Sequence, residues 1–131
     1  MPESTLAEIV KPNFIEVAPE DTLGEVAERM TAKNVGAVVV KDFGRLIGIL
    51  TERDLLKAMA ARVHSSEARV RQWMTPDPIT APIEMPLDEA AQIMIDHGFR
   101  HLPVVDEGQV VGVVSLRRVV AQAQTQAAGA A

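Results

Sequence analysis

The sharpest concentration of chemistry-bearing residues is the run Gly48-Ile-Leu-Thr51-Glu-Arg-Asp54. The apolar, Ile- and Leu-rich stretch before Thr51 reads as a strand and the stretch after it as a helix. A hydroxyl and a carboxylate therefore fall at a strand–helix junction. The first turn of a helix carries N–H groups with no intrahelical partner, which suit an anionic ligand. A carboxylate one turn in offers two acceptor oxygens close together, which suit a vicinal diol. The same Thr-x-x-Asp spacing is also a capping box, in which the two side chains serve only the helix start. The local sequence leaves both readings open. Further along, Ser115-Leu-Arg-Arg118 repeats the hydroxyl but sets an arginine where Asp54 stands. A guanidinium cannot accept hydrogen bonds from hydroxyls. Little else could do chemistry. The chain has no cysteine and three histidines. It shows no Ser/His/Asp spacing, metal-ligand cluster or phosphate-binding glycine loop. Binding rather than catalysis is the expectation.

The two junctions belong to a repeat. An offset of 64 positions lays Leu6 on Val70 and continues without a gap to Met59 on Ala123. Identical pairs include Pro12/Pro76, Leu23/Leu87, Met30/Met94, Asp42/Asp106, Gly44/Gly108, Gly48/Gly112 and Arg53/Arg117. A period this long, free of insertions, marks a duplicated domain rather than a solenoid. Each copy reads alike. An extended segment (14–17, then 78–81) leads to a helix with one apolar stripe, Leu23, Val26, Ala27 and Met30 in the first copy and Leu87, Ala90, Ala91 and Met94 in the second. Thr22 and Glu25 have capping-box spacing, and Pro86 suits a first helical turn. Asn34 and Gly98 stand where a left-handed C-terminal residue is wanted. Apolar strands follow at 37–40 and 46–50, then at 102–105 and 110–114, with turns through Gly44 and Gly108. Helices at 52–61 and 116–124 close the copies. The methionines at 30, 59, 74, 85 and 94 read as core filler. The expected organisation is a first repeat at 6–63, a linker at 64–69, a second repeat at 70–124 and a flexible tail at 125–131. The fold class is α/β, with β-α-β-β-α twice. One such unit leaves an apolar sheet face open, and a second copy can cover it.

Composition narrows the function. Of the 131 residues, 47% are apolar and 24% charged, a balance that suits a packed soluble domain. No apolar run approaches the roughly 20 residues of a membrane span. The N-terminus lacks the pattern of a signal peptide, so a cytoplasmic setting is expected. Net charge is −5 and aromatic content 3%, which disfavours nucleic acid as a partner.

The element order, with the phrases Val35-Gly-Ala-Val-Val-Val, Gly48-Ile-Leu-Thr-Glu-Arg-Asp-Leu-Leu56, Trp73-Met-Thr-Pro76, Arg100-His-Leu-Pro-Val-Val-Asp106 and Gly112-Val-Val-Ser115, resembles the CBS domain, named after cystathionine β-synthase. The likeness covers nearly the whole chain and reads as a stand-alone tandem pair. It implies a pseudo-twofold sandwich of the two repeats (a Bateman-type module), with clefts between them, commonly assembled as a homodimer. It also implies a regulatory module that binds an adenine nucleotide or adenosyl ligand and transmits occupancy to a partner protein.

Carried over residue by residue, the resemblance gives ribose binding to Thr51 and Asp54 and phosphate binding to Arg100, His101 and Arg117. The adenine pocket falls to Ile15, Val17, Val35, Ala37 and Val38, whose default role is core. Ser115 and Arg118 mark a degenerate second cleft. In the first repeat Gly36 and Ala37 stand where Arg100 and His101 stand in the second, so one phosphate-binding cleft is expected. The bases favour AMP, ADP or ATP over S-adenosylmethionine, with no catalytic cofactor or metal. The competing expectation is a dimerisation or interaction scaffold that takes no small molecule.

Overall fold

Both copies build the same series of elements, and the turns follow from single residues. In chain order, a 3-10 turn (Leu6–Glu8) precedes β1 (Glu16–Val17), α1 (Leu23–Lys33), β2 (Ala37–Asp42), β3 (Arg45–Thr51) and α2 (Glu52–Ala60). Then α3 (Val70–Trp73) and β4 (Thr75–Pro76) precede β5 (Ala81–Pro82), α4 (Leu87–His97), β6 (His101–Asp106), β7 (Gln109–Ser115) and α5 (Leu116–Ala130). This is a computed structural model that describes residues 4–130, with side chains as far as Gln126. The β2–β3 hairpin turns on Phe43 and Gly44, at φ 50° and 76°; the β6–β7 hairpin turns on Glu107 and Gly108, at 50° and 79°. Two consecutive left-handed residues make the turn whose twist matches the flanking strands. Helices α1 and α4 stop at Asn34 and Gly98, both left-handed as expected. Thr22 caps α1 by accepting from the Glu25 amide at 3.2 Å. Pro86 is the N-cap of α4, one position ahead of the first helical turn.

Two compact units result, and they do not follow the repeat boundaries. The first is Phe14–Pro78; the second joins the residues up to Asn13 to those from Ile79 onward. Each unit thus incorporates the segment that leads the other repeat. In the first unit, β4 pairs antiparallel with β3 and completes a sheet in the order β1-β2-β3-β4, with β1 parallel to β2. The second unit holds β5-β6-β7 in the same sense. The exchanged segments cross both hairpins at a glycine. A Cβ at Gly48 would lie 2.5 Å from Met74 Sδ and 3.0 Å from the Thr75 carbonyl oxygen. One at Gly112 would overlap the Val10 methyl and lie 2.8 Å from the Lys11 carbonyl oxygen. The identity of these two glycines across the repeat is therefore a requirement for close backbone approach.

The exchanged segments also serve the helix starts, whose first amides have no partner within the helix. Leu23 and Gly24 donate to the carbonyls of Ala68 and Ser65 at 3.0 and 2.9 Å. Leu87 donates to Ser4 at 3.1 Å. In return Val70 and Arg71 donate to Asp21 and Pro19, and Leu6 and Ala7 to Met85 and Ile83. Residues 64–69, expected as a polar linker, thus supply the carbonyls that cap α1. Both cores depend on the exchange. Ala68 and Val70 join Ile15, Val17, Leu23, Val26, Met30 and Leu50. Leu6 and Ile9 join Leu87, Met94, Leu102, Val114 and Val119.

Two expectations need correction. Met59 is 75% exposed, because α2 turns it away from the core that Ala58 faces. The extended segments 14–17 and 78–81 pair over only two residues each, and the second pairs at 81–82. Helix α5 runs on past residue 124 to Ala130, an extension that the Gln- and Ala-rich sequence of this stretch admits. The flexibility expected of 125–131 falls partly outside the described residues.

Leu6 lies near the chain start yet is fully buried. Leu6→Ala should destabilise the protein by about 3 kcal/mol in urea unfolding, as for a core leucine. A change under about 0.5 kcal/mol, the range of surface substitutions, would show that the N-terminal segment does not belong to the second core.

Candidate functional site

Strand β3 delivers Thr51 to the start of α2, and its pairing with β2 sets Thr51 opposite Ala37. Thr51 keeps an extended backbone (φ −120°, ψ 168°) as the N-cap. Asp54 folds back on it. Oδ2 of Asp54 accepts from the Thr51 amide at 2.8 Å and from Thr51 Oγ1 at 3.1 Å, while the Asp54 amide donates to Thr51 Oγ1 at 3.4 Å. The amide of Glu52 donates to the Gly36 carbonyl at 3.0 Å. The capping box that the sequence left open is thus formed, and two first-turn amides are occupied. Oδ1 of Asp54 accepts no hydrogen bond among the described residues. Both side chains are half-buried, so the carboxylate keeps one unengaged oxygen at a partly accessible helix start.

The residues around this junction divide by depth. Val35 is half-buried against the core. Ala37 is 6% exposed, and Ile15, Val17 and Val38 are buried within the first core. The side chains of those three are packing residues, which was their default reading.

The second unit gathers the basic residues. The register pairs His101 at the start of β6 with Ser115 at the end of β7. The amide of Leu116 donates to the Arg100 carbonyl at 2.8 Å, the counterpart of the Glu52–Gly36 bond. The structure therefore brings Arg100, His101, Ser115, Arg117 and Arg118 to one end of one hairpin. The side chains of Arg100 and Arg117 are exposed. Ser115 Oγ accepts from the Arg118 amide at 3.2 Å, so the hydroxyl half of the cap survives without its carboxylate. The Arg118 guanidinium takes a role the sequence did not suggest: its Nε donates to the Ile9 carbonyl at 3.3 Å. The offset repeat could have pointed to it, since Leu6 and Ile9 align with Val70 and Trp73 and share their apolar character. Among the described residues, no group of three or more His, Cys, Asp or Glu could hold a metal ion. No helix among them is long and apolar enough to cross a membrane.

Twin β-α-β-β-α units with a hydroxyl-capped helix after each hairpin define a duplicated α/β module. The CBS domain profile matches residues 6–61 and 70–123, and the chain belongs to that family as a tandem pair. It is 35% identical over 116 residues to the CBS domain-containing protein YhcV of Bacillus subtilis, covering 88% of this chain and 83% of that one. Other curated relatives are longer, and the chain spans 39%, 65% and 60% of three of them. Among solved structures, it resembles the CBS domain pair of protein MJ0100 in complex with 5-methylthioadenosine and S-adenosyl-L-methionine. That likeness has a TM-score of 0.86 and 26% identity, and covers 95% of this chain and 99% of the other. It also resembles CBSX2 in complex with AMP, with a TM-score of 0.77 and 26% identity over 92% and 97% of the two chains. CBS pairs are in general regulatory modules rather than catalysts.

Thr51→Ala removes both the N-cap acceptor and the hydroxyl that bonds Asp54. It should cost about 1 kcal/mol in chemical unfolding, the usual worth of such a cap. Ser115→Ala should cost less, because no carboxylate closes the box there. Equal costs would show that the bond from the Thr51 hydroxyl to the Asp54 carboxylate adds nothing.

Proposed function

We propose that this pair is a regulatory module that binds an adenine nucleotide or adenosyl ligand and passes its occupancy to a partner protein. The observation that carries the proposal is the state of Asp54. One oxygen of its carboxylate completes the capping box and the other is unengaged, so the residue can hold the helix start and still accept from a ribose hydroxyl. Thr51 fixes the carboxylate and presents its own hydroxyl beside it. Relatives in complex with AMP and with 5-methylthioadenosine and S-adenosyl-L-methionine support an adenosyl ligand.

The basic residues Arg100, His101 and Arg117 are assigned to phosphate, and they favour AMP, ADP or ATP over a ligand bearing methionine. The adenine is assigned to the surface formed by Ile15, Val17, Val35, Ala37 and Val38, of which Val35 has the partly accessible side chain. Self-association belongs to the same proposal. Leu56 and Met59, at i and i+3 on α2, are 66% and 75% exposed, and apolar surface of this kind suits a protein contact. Ligand acts by binding one arrangement of the pair better than another.

A scaffold without a small-molecule ligand is the second reading. It is favoured by the capping box, which already gives Thr51 and Asp54 a structural purpose.

Calorimetric titration of ligand-free protein with AMP, ADP, ATP and S-adenosylmethionine, with GMP as control, separates the two. The variant of choice is Asp54→Asn, which retains an acceptor for the Thr51 amide. We expect about one adenine ligand per chain, and affinity reduced at least about ten-fold in the variant with little loss of stability. An absence of binding to all four would assign Thr51 and Asp54 to capping alone and favour the scaffold.

A further inference from the structure

We propose that Arg118 is a positioning residue that fastens the N-terminal segment to the second unit, a task that a carboxylate at this position, matching Asp54, could not perform. The inference rests on the proposed ligand role of Asp54 only where it speaks of diol binding. The fastening itself stands on contacts within one unit.

The two exchanged segments are held in opposite ways. The segment of the first unit carries its own arginines. Arg69 Nη1 donates to the Glu20 carbonyl at 3.0 Å, and Arg71 pairs with the Glu20 carboxylate at 2.5 Å. At the matching positions the N-terminal segment has Thr5 and Ala7, which carry no charge and cannot reach as far. The matching acid, Glu84, has no arginine on that segment to hold. Fastening comes instead from α5. Arg118 Nε donates to the Ile9 carbonyl, and Gln126 Nε2 donates to Glu8 Oε2 at 3.3 Å. The Gln126 contact depends on the extra length of α5, which runs 15 residues against 9 in α2. Both bonds reach the turn that buries Leu6 and Ile9, next to the crossing at Gly112.

Residue 118 stands where Asp54 stands in the other repeat, one turn into the helix. A carboxylate there folds back onto the cap, as Asp54 does, and cannot donate to a carbonyl. An arginine reaches outward to Ile9 but accepts nothing from a sugar hydroxyl. The position can serve the segment or the diol, not both.

The test compares the full-length protein with Arg118→Met, which keeps the apolar stem and removes the donors, and with Arg118→Lys, which restores a charged donor. Hydrogen exchange followed by mass spectrometry reads peptides covering 4–13, where the Ile9 and Val10 amides bond the Leu6 carbonyl. Arg118→Met should speed exchange there about five-fold, the worth of one hydrogen bond. Arg118→Lys should recover part of the protection, and peptides within 14–78 should not change. AMP affinity should stay within about two-fold of the parent protein in both variants. Unchanged exchange at 4–13 would overturn the fastening role. A loss of AMP affinity of about ten-fold would make Arg118 a phosphate ligand and overturn the proposal. Should the parent protein bind no AMP, the proposed function fails, and the exchange data alone decide the role of Arg118.

Discussion

The constraint on which the rest of this structure depends is the close passage of a foreign backbone over the middle of each hairpin. Gly48 and Gly112 permit it, because any side chain there would meet Thr75 or Lys11 main-chain atoms. Once a segment lies across the hairpin, its apolar residues fall onto the core and its carbonyls face the first turn of the preceding helix. Capping and core completion thus follow from one contact in both units, and in the first the edge of the sheet follows from it as well. A 65-residue β-α-β-β-α unit is short of buried apolar surface by itself, and the borrowed segment adds Ala68 and Val70 to its core.

At the candidate site a structural role and the proposed binding role would share one side chain. Asp54 is a cap through Oδ2, and its Oδ1 is unengaged among the described residues. On the proposed reading, holding the carboxylate in one rotamer through the cap would reduce the ordering cost of binding a diol. The second repeat shows the alternative use of the same position. Ser115 retains the cap hydroxyl, and the side chain one turn later is turned toward the chain's own backbone.

Much of this was legible in the sequence, for identifiable reasons. The apolar stripe through Leu23, Val26 and Met30 has the helical period, Asn34 and Gly98 mark the stops, and Gly44 and Gly108 mark the turns. These are local signals, and all are realised. The order of elements was legible because the repeat states it twice. The exchange of segments was not, because the offset alignment is blind to which copy a segment packs on: Leu6 matches Val70 equally well in either arrangement. The outward turn of Met59 escaped for a similar reason. It depends on which helix face finds a neighbour, and an apolar residue type does not specify that. For Thr51 and Asp54, one spacing has two physically sound uses, and the structure shows the first, the capping box, in place.

The exchange also bears on the order in which the chain can fold as it leaves the ribosome. All parts of the first unit lie within a continuous stretch, so it can form soon after Pro78 emerges. The N-terminal segment cannot. Its partners begin at Ile83 and extend to Gln126, which is 118 residues beyond Glu8. At synthesis rates of roughly 5–20 residues per second, Leu6 and Ile9 wait on the order of ten seconds with no core to enter. During that interval the first unit can be complete while residues 4–13 have no core of their own. Closing the second unit then means joining residues as far apart as Glu8 and Gln126, 118 positions in sequence, which is a slow kind of contact to form.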